Sequence, residues 1–206
     1  YTMSNFRRPK HLTTRRMQET RPNPPKEQAK AQRPAREIRW NCPAAAKCGG
    51  CQLTRLSYAE QLQWKQQRMA ELLDGICEVR PILGMDDPFH YRNKVHAVLA
   101  VDKAGKPISG VYAMGTHRVV PVRHCLIEDR RADRIIQTIV AMLPAYKLRI
   151  YNEYTHRGFL RHILIRTGHV TGQIMVVLVA TSLEFPGKKA FVQELIQRHP
   201  EITTVV

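Results

Sequence analysis

Phe159-Leu-Arg-His-Ile-Leu-Ile-Arg-Thr167, Gly168-His-Val-Thr-Gly172 and Gln173-Ile-Met-Val-Val-Leu-Val-Ala180 follow one another without a break. The outer runs are rich in β-branched residues and the middle one in turn residues, so the stretch predicts two antiparallel strands around a loop. Ile174 to Ala180 is apolar at every position, which puts that strand inside a covered sheet. Leu148 to Tyr154 and the turn Thr155-His-Arg-Gly158 extend the hairpin backward into a meander. Further upstream, Val95 to Val101, Ile108 to Tyr112 and His117 to Val122 read as strands, with Asp102-Lys-Ala-Gly-Lys-Pro107 as a turn.

Helices flank these strands. Ser57 and Glu60 form a capping-box sequence ahead of a helix that Gly75 stops. Ile135, Ile136, Ile139, Val140 and Leu143 share one face of a helix over 132–143 that ends at Pro144, and another helix is expected from about Gly187 to His199. The expected fold class is therefore α+β, an antiparallel sheet with flanking helices. A last apolar strand, Ile202 to Val206, has no turn or polar cap after it, so the chain is expected to be part of a larger protein.

Ahead of the first helix stands Cys42-Pro-Ala-Ala-Ala-Lys-Cys48-Gly-Gly-Cys51. Three cysteines spaced this tightly make a knuckle of thiols, and Gly49 and Gly50 let the backbone approach a bound group and aim N–H donors at its sulfurs. A fourth ligand must come from Cys77 or Cys125, since the chain has five cysteines. Cys125, after a strand-like run, suits a rigid ligand; Cys77 reads as a small buried apolar residue. Three near thiols and one remote one is an iron–sulfur arrangement. A structural zinc site commonly uses two Cys-x2-Cys pairs, and only one is present. A zinc knuckle, a disulfide or unrelated buried cysteines are the alternatives. Trp64 is expected to pack against the knuckle.

The formal net charge is +16, and half of it lies in residues 1–39, where eleven Lys or Arg face Glu19, Glu27 and Glu37. An excess of this size points to a polyanionic partner, nucleic acid before an anionic membrane. Residues 1–38, rich in proline and charge, read as a disordered basic arm, followed by the knuckle over 39–56 and the α+β domain over 57–206. No apolar run reaches membrane-spanning length and the basic start lacks the apolar core of a signal peptide, so a cytoplasmic, reducing setting is expected. A monomer is the expected state.

No dinucleotide fingerprint, P-loop, nucleophile elbow or zinc-protease helix occurs, and no catalytic centre is legible within these residues. Tyr91-Arg92-Asn93-Lys94 places a ring, a guanidinium, an amide and an ammonium together; His156, Arg157 and Arg161 form a second such group. Mixtures of this kind hold single-stranded RNA, rings and guanidinium planes against bases and cations against phosphates.

These residues resemble a known family. The Cys42-x5-Cys48-Gly-Gly-Cys51-Gln52 knuckle, Tyr91-Arg-Asn-Lys94, Gly110-Val-Tyr…His117-Arg-Val…Cys125-Leu-Ile, Gly158-Phe-Leu-Arg-His-Ile-Leu-Ile-Arg166 and Thr171-Gly-Gln-Ile-Met-Val are similar to the RNA uracil-5-methyltransferases that carry an iron–sulfur cluster. The resemblance covers roughly residues 40–206. It implies a 4Fe-4S cluster on Cys42, Cys48, Cys51 and Cys125, and a parent enzyme that uses S-adenosylmethionine to methylate C5 of a uridine, most often in 23S rRNA. It also implies that the Rossmann-like domain bearing methyl donor, nucleophile and base is absent from these residues, so this part alone is expected to be inactive. The competing expectation is a stand-alone iron–sulfur or zinc-knuckle nucleic-acid-binding protein.

Overall fold

A computed structural model describes residues 38–206. The expected basic arm lies outside the described residues, apart from Ile38. Helix α1 spans Tyr58–Leu72, β1 Lys94–Val101, β2 Pro107–Tyr112, β3 Val119–Pro121, α2 Arg130–Met142, β4 Leu160–Thr167, β5 Ile174–Ala180, α3 Lys188–Arg198 and β6 Ile202–Val205. The strands form one sheet in the order β3-β2-β1-β4-β5-β6.

The hairpin read from the sequence is present: β4 and β5 pair antiparallel from Thr167↔Ile174 to Leu160↔Ala180. β1 joins β4 and β2 antiparallel, and β2 joins β3 in the same sense. Two expectations are corrected. The sheet is not wholly antiparallel, because α3 carries the chain back over the sheet and β6 pairs parallel to β5. Leu148 to Tyr154 is not a strand; it makes only isolated bridges at Ile150 and Asn152. Lys147 has φ +53°, and the Asn152 side chain accepts from the N–H groups of Tyr154 and Thr155, so local turn bonds displace a ladder.

The core lies between one face of the sheet and α2 with α3. Val95, Ala97, Leu99, Ile163, Ile165, Ile174 and Val176 meet Ile135, Ile139, Met142, Phe191 and Leu195, all buried. Each of these side chains other than Ala97 contributes roughly 1.5–3 kcal/mol of burial. Asp129 caps α2, accepting from the Arg131 N–H at 2.8 Å. The expected capping box starts α1: Ser57 N–H donates to Glu60 Oε2 at 2.6 Å, and Glu60 N–H to Ser57 Oγ at 3.3 Å. Trp64, expected against the knuckle, is half exposed on α1. Cys77 is exposed rather than buried, lying past the last turn of α1 where no apolar layer covers it.

Candidate metal centre and nucleic-acid interface

Cys42, Cys48, Cys51 and Cys125 are unpaired, half-buried thiols that line one cavity of about 50 Å3. Two elements bring them together. The knuckle folds as turns, with Cys48 N–H donating to the Ala44 carbonyl at 2.8 Å and Gly50 N–H to Cys48 Sγ at 3.4 Å. That last bond goes to a cysteine sulfur, not to the sulfurs of a bound group at which the sequence reading aimed the glycine N–H; a Cβ on Gly50 would stand 3.4 Å from the same sulfur. On the far side, residues 90–92 pair with 126–129: His90 N–H reaches the Leu126 carbonyl, Arg92 N–H the Ile127 carbonyl, and Asp129 N–H the Arg92 carbonyl. Asp133 Oδ2 takes the Cys125 N–H at 2.9 Å.

Burial, and then the neighbouring Cys48, push the Cys51 thiol up, partly offset by Arg92. Burial pushes Cys125 up to about 11. A metal must therefore displace protons from these sulfurs to bind. Glu128 behind them is raised to about 7, by burial first and the nearby Asp133 next, against the opposing charge of Arg92.

Among the described residues, no three His, Cys, Asp or Glu side chains are arranged to hold a single metal ion. Around one zinc, thiolates at about 2.3 Å from the metal would crowd to roughly 3.8 Å from one another. The four cysteines line a cavity several times the volume that one water needs, about 10–15 Å3. Trp40 Nε1, buried without a hydrogen-bond partner, lines the same cavity. Four thiols and an unused donor around a shared space suit an inorganic sulfide cluster, whose sulfurs accept N–H bonds. The sequence reading missed Trp40, Glu128 and Asp133. Trp40 stands two residues before Cys42, but no spacing ties Glu128 or Asp133 to the knuckle.

The expected RNA-contacting residues fall in two places. Tyr91 is 52% exposed, which removes it from the core, and Arg92 lines the thiol cavity. Asn93 is exposed and its carbonyl accepts from Thr167 N–H, while Lys94 opens β1 opposite Arg166. Arg157 is exposed in the loop before β4, where His156 adopts φ +54° with Nδ1 3.1 Å from Tyr151 Oη. Arg161 sits in β4, its guanidinium 4.6 Å over the Tyr151 ring and paired with Glu153 at 2.8 Å. The structure thus joins Arg161 to His156 through Tyr151, and sets Lys94 at the other end of the β1–β4 pair.

No protein-family model matches the chain. An uncharacterized RNA methyltransferase of Clostridium tetani is 38% identical over 176 residues, 84% of this chain and 38% of that protein. Another, of Bacillus cereus, is 36% identical over 170 residues, 80% of this chain and 37% of its own length. The crystal structure of Pyrococcus abyssi tRNA (uracil-54, C5)-methyltransferase in complex with S-adenosyl-L-homocysteine superposes with a TM-score of 0.54 at 26% identity, over 73% of this chain and 35% of that one. The chain spans little more than a third of the length of these relatives. By sequence it is similar to RNA methyltransferases. By sequence and fold together, the similarities support kinship with the uracil-C5 enzymes among them. No helix among the described residues is long and apolar enough to cross a membrane.

Proposed function

We propose that these residues are the cluster-bearing, RNA-handling part of an S-adenosylmethionine-dependent methyltransferase acting on C5 of a uridine in RNA, with 23S rRNA as the substrate class. In this reading the basic arm over 1–38, the knuckle over 39–56 and the central domain over 57–206 serve one task, holding RNA for a methyl-transferring part that lies elsewhere in the protein. The observation that carries it is the shared cavity of Cys42, Cys48, Cys51 and Cys125, within a chain similar to RNA methyltransferases. A 4Fe-4S cluster on these thiols would supply bracing rather than electron transfer. It would bind the knuckle to the segment after β3 and close a loop of 75 residues, 51 to 125. The methyl donor finds no assigned residue in this chain.

Anaerobically purified protein tests the cluster. Iron and acid-labile sulfide near four of each per chain support it, and a colourless protein with one zinc overturns it. Methyl transfer from labelled S-adenosylmethionine by the longer protein, with 23S rRNA and tRNA transcripts offered separately, tests the substrate class. Label on tRNA alone would overturn the 23S assignment and leave uridine methylation standing.

A further inference from the structure

Side chains alternate across a strand. Val95, Ala97 and Leu99 of β1 and Ile163 and Ile165 of β4 enter the core, so Lys94 and His96, and His162, Leu164 and Arg166, stand on the opposite face of the sheet. Lys94 lies directly opposite Arg166 in the register, both are exposed, and neither is in an ion pair among the described residues. Like charges directly opposite weaken a sheet, so this pair costs stability unless an anion meets it.

The other end of the same strands is built differently. Leu160 pairs with Ala180 and His162 with Val179, which makes Arg161 the extra residue of a β-bulge. Bulges re-aim side chains, and here Arg161 comes beside His162. Its guanidinium lies over the Tyr151 ring, and Glu153 holds Nη2 at 2.8 and 3.1 Å. The His96 and His162 rings are 4.8 Å apart. Arg161 Nε and His162 Nδ1 are both buried with no hydrogen-bond partner. Glu153 offsets the Arg161 charge, so this end is a poor phosphate anchor. What it presents is the flat surface of the guanidinium and the Tyr151 ring.

We propose that this face of the sheet is a single-stranded RNA platform, in which the Arg161–Tyr151 pair stacks an unpaired base and Lys94 and Arg166 meet its flanking phosphates. A planar heterocycle matches the guanidinium plane, which the Tyr151 ring already backs on one side. From Lys94 to Val98, which faces His162, four residues span about 13 Å. A duplex keeps its base faces stacked inside, so the occupant is a single strand. The proposal rests on the RNA-handling reading above, and adds where and how the strand is held.

The test uses the whole chain with a fluorescein-labelled oligouridine, the same strand in a duplex, and an oligouridine carrying 5-iodouridine for photo-crosslinking. Single-stranded RNA is expected to bind more tightly than duplex and to crosslink to Tyr151 or His162. Lys94→Ala combined with Arg166→Ala should lower the slope of log affinity against log salt by ~1.4, two phosphates' worth. Arg161→Lys, which keeps the charge and loses the plane, should weaken binding at least about fivefold. Melting curves establish that Arg161→Lys is folded; if it is not, the Lys94 and Arg166 variants and the crosslinks decide. Equal affinity for duplex, crosslinks confined to residues 1–37 or Tyr91, or variants within twofold of the parent overturn the platform and leave RNA handling intact. Failure of the unaltered chain to bind single-stranded RNA overturns both.

Discussion

Asp133 Oδ2 holds the backbone N–H of Cys125 at 2.9 Å, which ties the first turn of α2 to the remote thiol of the knuckle cavity. Burial raises the Asp133 carboxyl, and the Cys125 N–H counters that rise. In the proposed cluster, a partner of this kind would orient a ligand without touching the metal. Asp133→Ala is expected to weaken cluster retention about 10–100-fold, read as faster loss of visible absorption under a chelator. Cys125→Ser should purify without iron, and Cys77→Ser should keep its full complement. Iron loss on changing Cys77 would move the fourth ligand away from Cys125.

Gly158 precedes β4 with φ +122°, and a Cβ there would lie 2.3 Å from the Ile150 carbonyl oxygen. No side chain fits that space, and the backbone conformation itself disfavours one. Gly158→Ala should cost on the order of 2 kcal/mol or more, measured as a lower urea midpoint with unchanged slope.

Asp129 caps α2 and binds Arg131 at 2.8 Å. Burial alone would raise its carboxyl, but the Arg131 side-chain and backbone bonds outweigh that and hold it at about 2, below the usual 3.8. The folded state thus prefers the ionised form. The contribution is present above the unfolded value and is lost as pH falls from near 4 through about 2. Asp129→Ala should cost about 1–2 kcal/mol at neutral pH and flatten the acid limb of the stability curve.

His162 works in the opposite sense. Burial, then the nearby His96 and Arg161, lower its pKa below the ordinary 6.5, so the unfolded chain takes the proton more readily. Stability from this site is full above 6.5 and declines as pH falls below it, until the folded value is passed. His162→Gln should give a shallower loss of denaturation midpoint between neutral and mildly acid pH. An unchanged slope would mean that the burial of the ring is not felt.

Much of this architecture was legible because it obeys short-range rules. Ile135, Ile136, Ile139 and Leu143 announce α2 by spacing alone, and Ser57 with Glu60 marks the start of α1. The β4–β5 hairpin follows from composition and its loop. Leu148 to Tyr154 misleads because its composition is strand-like while the Asn152 side chain satisfies the local N–H groups instead. The direction of β6 depends on the path of α3, which no residue of β6 encodes. At the candidate site the cysteines were readable from their own chemistry. Trp40, Glu128 and Asp133 were not, since only the closing of the chain places them beside the thiols.

The thiol cavity has walls from both ends of a long stretch of chain, and nothing within the knuckle alone encloses it. Three of its sulfurs are neighbours from the moment of synthesis, whereas the fourth arrives only once β1 to β3 have been laid down between them. Assembly of any inorganic group there would therefore serve as a checkpoint on maturation, colouring only those molecules in which β1 to β3 have come into place.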